Sequence, residues 1–323
     1  MSSGKLSNIV RYSATAGLMF LVGCDRAGSL PWGILGNDFL DPTKLGIHNE
    51  SEKNGQVYTL DAGPIDIAHA RFAADRTKIA QEIFYERLLE NEKGISFKID
   101  QPATYLVQLG YPDSWNTLPE ERKENIAKET SIELGAYFAY VDLLWHEVLT
   151  SCGERSMFLI CEKPSAFSCE DNISNALGAY VGKVALRDKE NSFNQAVTIA
   201  LDNELERLCA QPRQITVKNA SKTKGKKHFD IGLNDGLITP WYVPNTSPGR
   251  RIKDYIAPTF AIPLKYNFSI DWNLKPNSAP GNKALKYIGK TSEGEINSKE
   301  LCDIVDYIKE KNIKEHGSDI LNP

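Results

Sequence analysis

Apolar residues recur at intervals of three, four and seven through the middle of the chain, and that spacing predicts most of its architecture. Ile65, Ala68, Phe72, Ile79, Ile83 and Leu88 form one stripe of a helix running from Pro64 to about Asn91. Pro64 suits a first helical position, where its missing N–H costs nothing, and Gly94 stops the pattern. A longer helix is expected over Glu120–Cys152, with Ile126, Ile132, Ala136, Ala139, Leu143 and His146 in register and Gly153 at its C-terminal cap. Ser168 reads as the N-cap of a third helix ending near Leu186, with Glu170 and Asp171 in the first turn, where the helix dipole favours anions. Phe193, Val197, Ala200, Leu201, Leu205 and Leu208 place a fourth over Ser192–Ala210. Four such helices can bury a common core.

The flanks carry weaker signals. Short strands are expected at Gln56–Leu60 and Ile95–Ile99, followed by a loop holding Pro102, Pro112 and Pro119. After Pro212, Ile215-Thr216-Val217 alternates like a strand, and Phe229–Leu233 and Leu237–Val243 flank an Asn234-Asp235-Gly236 turn. Pro244, Pro248, Pro258, Pro263, Pro276 and Pro280 predict long loops over 244–297, before a final helix at Ser298–Lys314. The fold class is therefore mainly α: a helical core with a smaller, irregular, β-containing C-terminal part. The expected boundaries are a signal peptide at 1–23, a lipidated tether at 24–55, the helical core at 56–245 and an irregular extension at 246–323.

The N-terminus supplies an address. Lys5 and Arg11 precede an apolar run from Ala14 to Val22, too short for a membrane helix of about 20 residues. The ending Leu21-Val22-Gly23-Cys24 resembles a bacterial lipobox, which makes Cys24 the first mature residue and the site of lipidation. Lipid on Cys24 then attaches the chain to a membrane of the cell envelope. Asp25 behind it resembles an inner-membrane retention signal, and the chain would face the periplasm.

Composition narrows the partners. The 323 residues carry a formal net charge of −4, with 41% hydrophobic and 25% charged residues, as an ordinary soluble domain does. That balance argues against nucleic acid. Lys222, Lys224, Lys226 and Lys227 form a local basic cluster, read as a solvated hairpin tip or a contact for anionic headgroups. With Cys24 acylated, Cys152, Cys161, Cys169, Cys209 and Cys302 remain, so at least one thiol stays unpaired, and a pair such as Cys152–Cys161 is left open.

His69 and His146 are the candidate chemistry, since both lie on amphipathic helices beside alanines that let helices approach closely. Asp66 sits three residues before His69, and Glu147 follows His146. An imidazole held by a carboxylate is fixed in one tautomer, as a metal ligand or general base requires. The zinc-protease pattern H-E-x-x-H fails here, because Thr150 takes the place of its second histidine. The metal reading therefore takes His69, His146 and Asp171 as ligands of zinc or another divalent ion, with Glu147 as general base. The rival is a buried polar network with no chemistry. Ser165, Ser168 and Cys169 precede a helix N-terminus as a nucleophile would, but capping accounts for Ser168 and no G-x-S-x-G pattern occurs.

Three blocks add a resemblance. Gly63-Pro64-Ile65-Asp66-Ile67-Ala68-His69-Ala70-Arg71-Phe72-Ala73-Ala74-Asp75, Trp145-His146-Glu147 and Ser165-Ala166-Phe167-Ser168-Cys169-Glu170-Asp171-Asn172-Ile173-Ser174-Asn175 resemble a family of bacterial envelope lipoproteins catalogued only as a domain of unknown function. The resemblance covers roughly 55–245 and includes Asp235-Gly236 and Pro240-Trp241. It implies a compartment and boundaries, not an activity. Asp66, Arg71, Asp75, Glu170 and Asn175, which lie within these blocks, are further candidate site residues. The family's third block has proline where this chain has Cys169, which weakens a Cys169 nucleophile.

Overall fold

A computed structural model describes residues 38–156, 160–161, 166–167, 169–223, 231–234, 237–240 and 266–316. The signal segment, Cys24 and Asp25, Ser165 and Ser168, Asp235-Gly236, Trp241 and the cluster residues Lys224, Lys226 and Lys227 lie outside them.

Helices dominate. The long ones are α1 (Ile67–Leu89), α2 (Glu120–Ser151), α3 (Cys169–Arg187) and α4 (Phe193–Arg207), followed by α5 (Arg213–Thr223), α6 (Ala279–Tyr287) and α7 (Ser298–His316). The strands are β1 (Asp38–Phe39), β2 (Gly55–Thr59), β3 (Gly63–Asp66), β4 (Gly94–Phe97), β5 (Ala103–Gly110), β6 (Arg155–Ser156), β7 (Ile160–Cys161), β8 (Ile231–Asn234), β9 (Leu237–Pro240), β10 (Ser269–Pro276) and β11 (Ile296–Asn297). The helical core with a smaller antiparallel sheet region matches the fold class read from the sequence. Among the described residues, no helix is long and apolar enough to cross a membrane.

Helix α1 packs against both α2 and α3, and small residues set how closely. A Cβ added at Gly178 of α3 would lie 2.0 Å from the Ala70 carbonyl oxygen, and one at Gly182 would lie 2.9 Å from the Ala74 Cα. On α2, a Cβ at Gly135 would lie 2.6 Å from the Thr77 carbonyl oxygen. Beyond these contacts, Phe84, Phe97, Tyr105, Phe138 and Trp272 interlock edge to face and stacked, with ring centroids 5.2–5.8 Å apart. That cluster ties α1 and α2 to the sheet β11-β10-β5-β4.

Several local expectations are corrected. Residues 63–66 are a strand, not the first helical turn: β3 pairs antiparallel with β2, with Tyr58 opposite Pro64. As the edge of a sheet ordered β1-β2-β3, β3 tolerates a proline that cannot donate. The tether expected through residue 55 gives way at Asp38, where β1 pairs with β2 and Leu40 and Leu45 are buried. The loop expected around Pro102 and Pro112 is largely β5, which buries Ala103, Tyr105, Val107 and Leu109 in alternation; the prolines bound the strand without entering it. Its partner β10 lies within the expected long loops and pairs with β5 over its whole length. Residues 215–217 belong to helix α5, which turns Thr216 inward so that its Oγ accepts from Tyr58 N at 3.1 Å. Cys152, Cys209 and Cys302 are free thiols, so Cys152 makes no pair with Cys161.

Candidate functional site

Asp66, His69 and Asp171 meet where α1, α2 and α3 converge, each offering a donor atom within 4.8 Å of the others. The chain places Asp66 as the N-cap of α1, its Oδ1 accepting from Ala68 N at 2.8 Å and His69 N at 3.1 Å. Both cap bonds use Oδ1 alone. The Asp66 N–H donates to Ser174 Oγ at 2.8 Å, which fixes the start of α1 on α3. One turn into α1, His69 directs Nδ1 at Asn175 Oδ1 (3.1 Å) and Nε2 at Asp171 Oδ1 (3.5 Å). Since an amide oxygen only accepts, Nδ1 carries the proton and Nε2 is the nitrogen facing the carboxylates.

Acidic groups gather here. Asp66, Glu147, Glu170 and Asp171 are all buried, as is His69. Burial alone would lower the His69 pKa, but Asp171, Asp66 and Glu147 outweigh it and raise it to about 9. Burial lifts the Asp171 carboxyl well above the usual carboxylate range, with Glu147, Glu170 and Asp66 adding like-charge repulsion against the pull of His69. Burial also carries Glu147 up to about 7, although His69 and the Phe167 N–H, which donates to its Oε2 at 2.6 Å, favour the anion. Two carboxylates with one imidazole suit zinc or another divalent ion.

The expected site residues divide into three groups. His69, Asp171, Asp66 and Asn175 come together as described, with Glu147 and Glu170 in the same buried acid cluster. His146 does not join the three donors: its Nδ1 lies 3.3 Å from Gln101 Oε1, and the compact third donor is Asp66. Burial and the positive charges of Arg76 and His69 push the His146 pKa down to about 3, so its ring is neutral. At about 100° per residue, Arg71 and Asp75 lie roughly 160° and 120° round α1 from His69, and they face the 45–53 segment. There Arg71 donates to the carbonyls of Leu45, Gly46 and Lys53, while Asp75 meets His48.

A second network was not foreseen. Asp142, fully buried on α2, accepts from Tyr105 OH at 2.8 Å and lies 3.4 Å from Arg76 Nε, and Arg76 also pairs with Asp100. Burial lifts Asp142 to about 6 despite Arg76 and Tyr105. A charged residue inside the apolar run Tyr140-Val141-Asp142-Leu143-Leu144 was the available signal.

The fold and this cluster define a mainly α protein with a buried His/Asp group of metal-binding geometry. Residues 36–229, more than half of the chain, match the family model described as a protein of unknown function, DUF4056, and the chain belongs to that family. No curated protein and no solved structure matches it.

Proposed function

We propose that this chain is a lipid-anchored bacterial envelope protein that binds a divalent cation at Asp66, His69 and Asp171 and hydrolyses an envelope component. The observation that carries the reading is the trio itself: three buried donors of suitable chemistry within 4.8 Å of one another. The ion supplies Lewis acidity at the bond to be cleaved. Asn175 holds the His69 ring with Nε2 toward the carboxylates, and Ser174 holds Asp66 in place. Glu147, in the same buried cluster, would take up and return the proton of the attacking water as general base. The lipobox at Cys24 supports the envelope setting, and Asp25 an inner-membrane, periplasmic position. The net charge of −4 argues against nucleic acid as a partner.

The rival reading, an envelope protein that binds a ligand or protein partner without catalysis, draws on the same geometry. His69 and Asp171 already form an ion pair, so a proton can stand where the metal would. Incubating isolated cell envelopes with the full chain separates the two. Release of soluble fragments should depend on added divalent ion and should be lost in Glu147→Gln. No release, or equal release by Glu147→Gln, overturns the hydrolase reading. Asn175→Leu should weaken divalent-ion affinity roughly 10–100-fold, the usual cost of removing a partner that orients a ligating histidine. Calorimetry checks this, and unchanged affinity contradicts the orienting role.

A further inference from the structure

Arg71 holds the two ends of the 45–53 segment on α1, and its tip meets α1 through an imidazole with a carboxylate on each ring nitrogen. His48 is 1% exposed, its Nδ1 lies 3.0 Å from Glu52 Oε2 and its Nε2 lies 3.0 Å from Asp75 Oδ1. Glu52 belongs to the segment, whereas Asp75 belongs to α1, so only the second contact joins two elements. Ionised carboxylates accept and do not donate, so satisfying both contacts takes a proton on each ring nitrogen. We propose that His48 is a proton-dependent latch that holds the tip of this segment on α1 while the ring is doubly protonated and releases it when Nε2 loses its proton.

The surroundings decide which contact yields. Glu52 Oε2 also accepts from Asn49 N at 3.0 Å and lies 3.7 Å from Arg71 Nε, so it stays ionised and keeps the Nδ1 proton. Asn49 Nδ2 lies 3.1 Å from His48 Nε2 and 3.3 Å from Asp75 Oδ1. When Nε2 is bare, that amide donates to it, and two lone-pair-bearing atoms, Nε2 and Asp75 Oδ1, are left facing each other. The Asp75 contact is the one that opens. From α4, the His48 N–H donates to Thr198 Oγ at 3.0 Å, and the Phe193 ring lies 6.4 Å away with Lys78 Nζ of α1 over it. Asp202 of α4 acts electrostatically on Arg71 and does not neutralise the His48 pair.

The sign follows from those charges. Burial lowers the His48 pKa, but Asp75 and Glu52 outweigh it and raise it above the ordinary value of 6.5. The latch is closed below pH 6.5 and opens as pH rises through the raised midpoint. Arg71 does not titrate in this range, so its bonds to Leu45, Gly46 and Lys53 persist and opening is confined to the tip at 47–51.

NMR titration of the full chain in detergent follows the His48 ring, assigned by its loss in His48→Gln, while hydrogen exchange follows residues 45–53. The expected result is a ring midpoint above 6.5 and a fall in intrinsic-rate-corrected protection of 47–51 at that same pH. Asp75→Asn should shift the midpoint down and give weak protection already at pH 6. A midpoint at or below 6.5, or protection that stays constant across the midpoint, overturns the latch. Both are read on the unmodified protein, so a variant that fails to fold does not rescue it.

Discussion

Replacing Arg76 by Met is expected to cost about 3–5 kcal/mol of stability at pH 7, the usual penalty for stripping a buried charge of its partner. Asp142 is 0% exposed and has Arg76 as its positive neighbour, with Tyr105 OH as a neutral donor. Methionine keeps much of the side-chain volume, so the loss reports charge more than packing. The effect should depend on pH. Asp142 has a folded pKa of about 6, above its unfolded value near 3.8, so any stability from its titration is present below 3.8 and lost as pH rises through 6. Removing Arg76 pushes that pKa higher still. The deficit of Arg76→Met should therefore shrink as pH falls from 7 towards 5. Urea unfolding at both values checks this, and a deficit that is equal or larger at pH 5 would refute the charge argument.

Gly178→Ala should be almost as damaging. Its new Cβ would meet the Ala70 carbonyl oxygen at 2.0 Å and the carbonyl carbon at 2.6 Å, and backbone atoms cannot swing aside as a long side chain can. Overpacking of this kind costs about 1–3 kcal/mol, and a backbone clash belongs at the upper end. The same helix carries Asp171, Ser174 and Asn175, so pushing α3 away from α1 stretches every bond that α3 makes to Asp66 and His69. Both the unfolding midpoint and divalent-ion affinity should fall together. A stable Gly178→Ala with unchanged ion affinity would show that α3 has room to move.

The long helices were legible because each repeats its apolar period for four turns or more, and that placed His69, Glu147 and Asp171 on elements of one core. Their assembly was only half legible. The alanines beside His69 signalled a close helix approach, and the structure uses Ala70 and Ala74 in that way against Gly178 and Gly182. Nothing in the spacing distinguished Asp66 from His146 as the third donor, since that choice depends on the direction of α2 relative to α1. His48 escaped because it lies in an irregular segment with no period, and its partners Glu52 and Asp75 are 4 and 27 residues away. Helix α5 misled for another reason: Ile215 and Val217 are 37% and 39% exposed while Thr216 is 2% exposed, so polarity there runs against burial. Strand β10 was hidden by an isolated pattern in which only Trp272, Leu274 and Pro276 are buried, and its pairing with β5 is visible only across more than 150 residues of chain.

Everything proposed for the site depends on Asp66, His69 and Asp171 binding a divalent cation. Calorimetric titration of zinc into the metal-stripped full chain is the test, alongside His69→Ala and an exposed control, Glu206→Gln. Expected are one saturable site per chain, a higher melting temperature with zinc that chelator reverses, and loss of both in His69→Ala but not in the control. A wild type that takes up no zinc, or any other divalent ion tried in its place, and melts identically in chelator would contradict it and leave the cluster as a buried polar network.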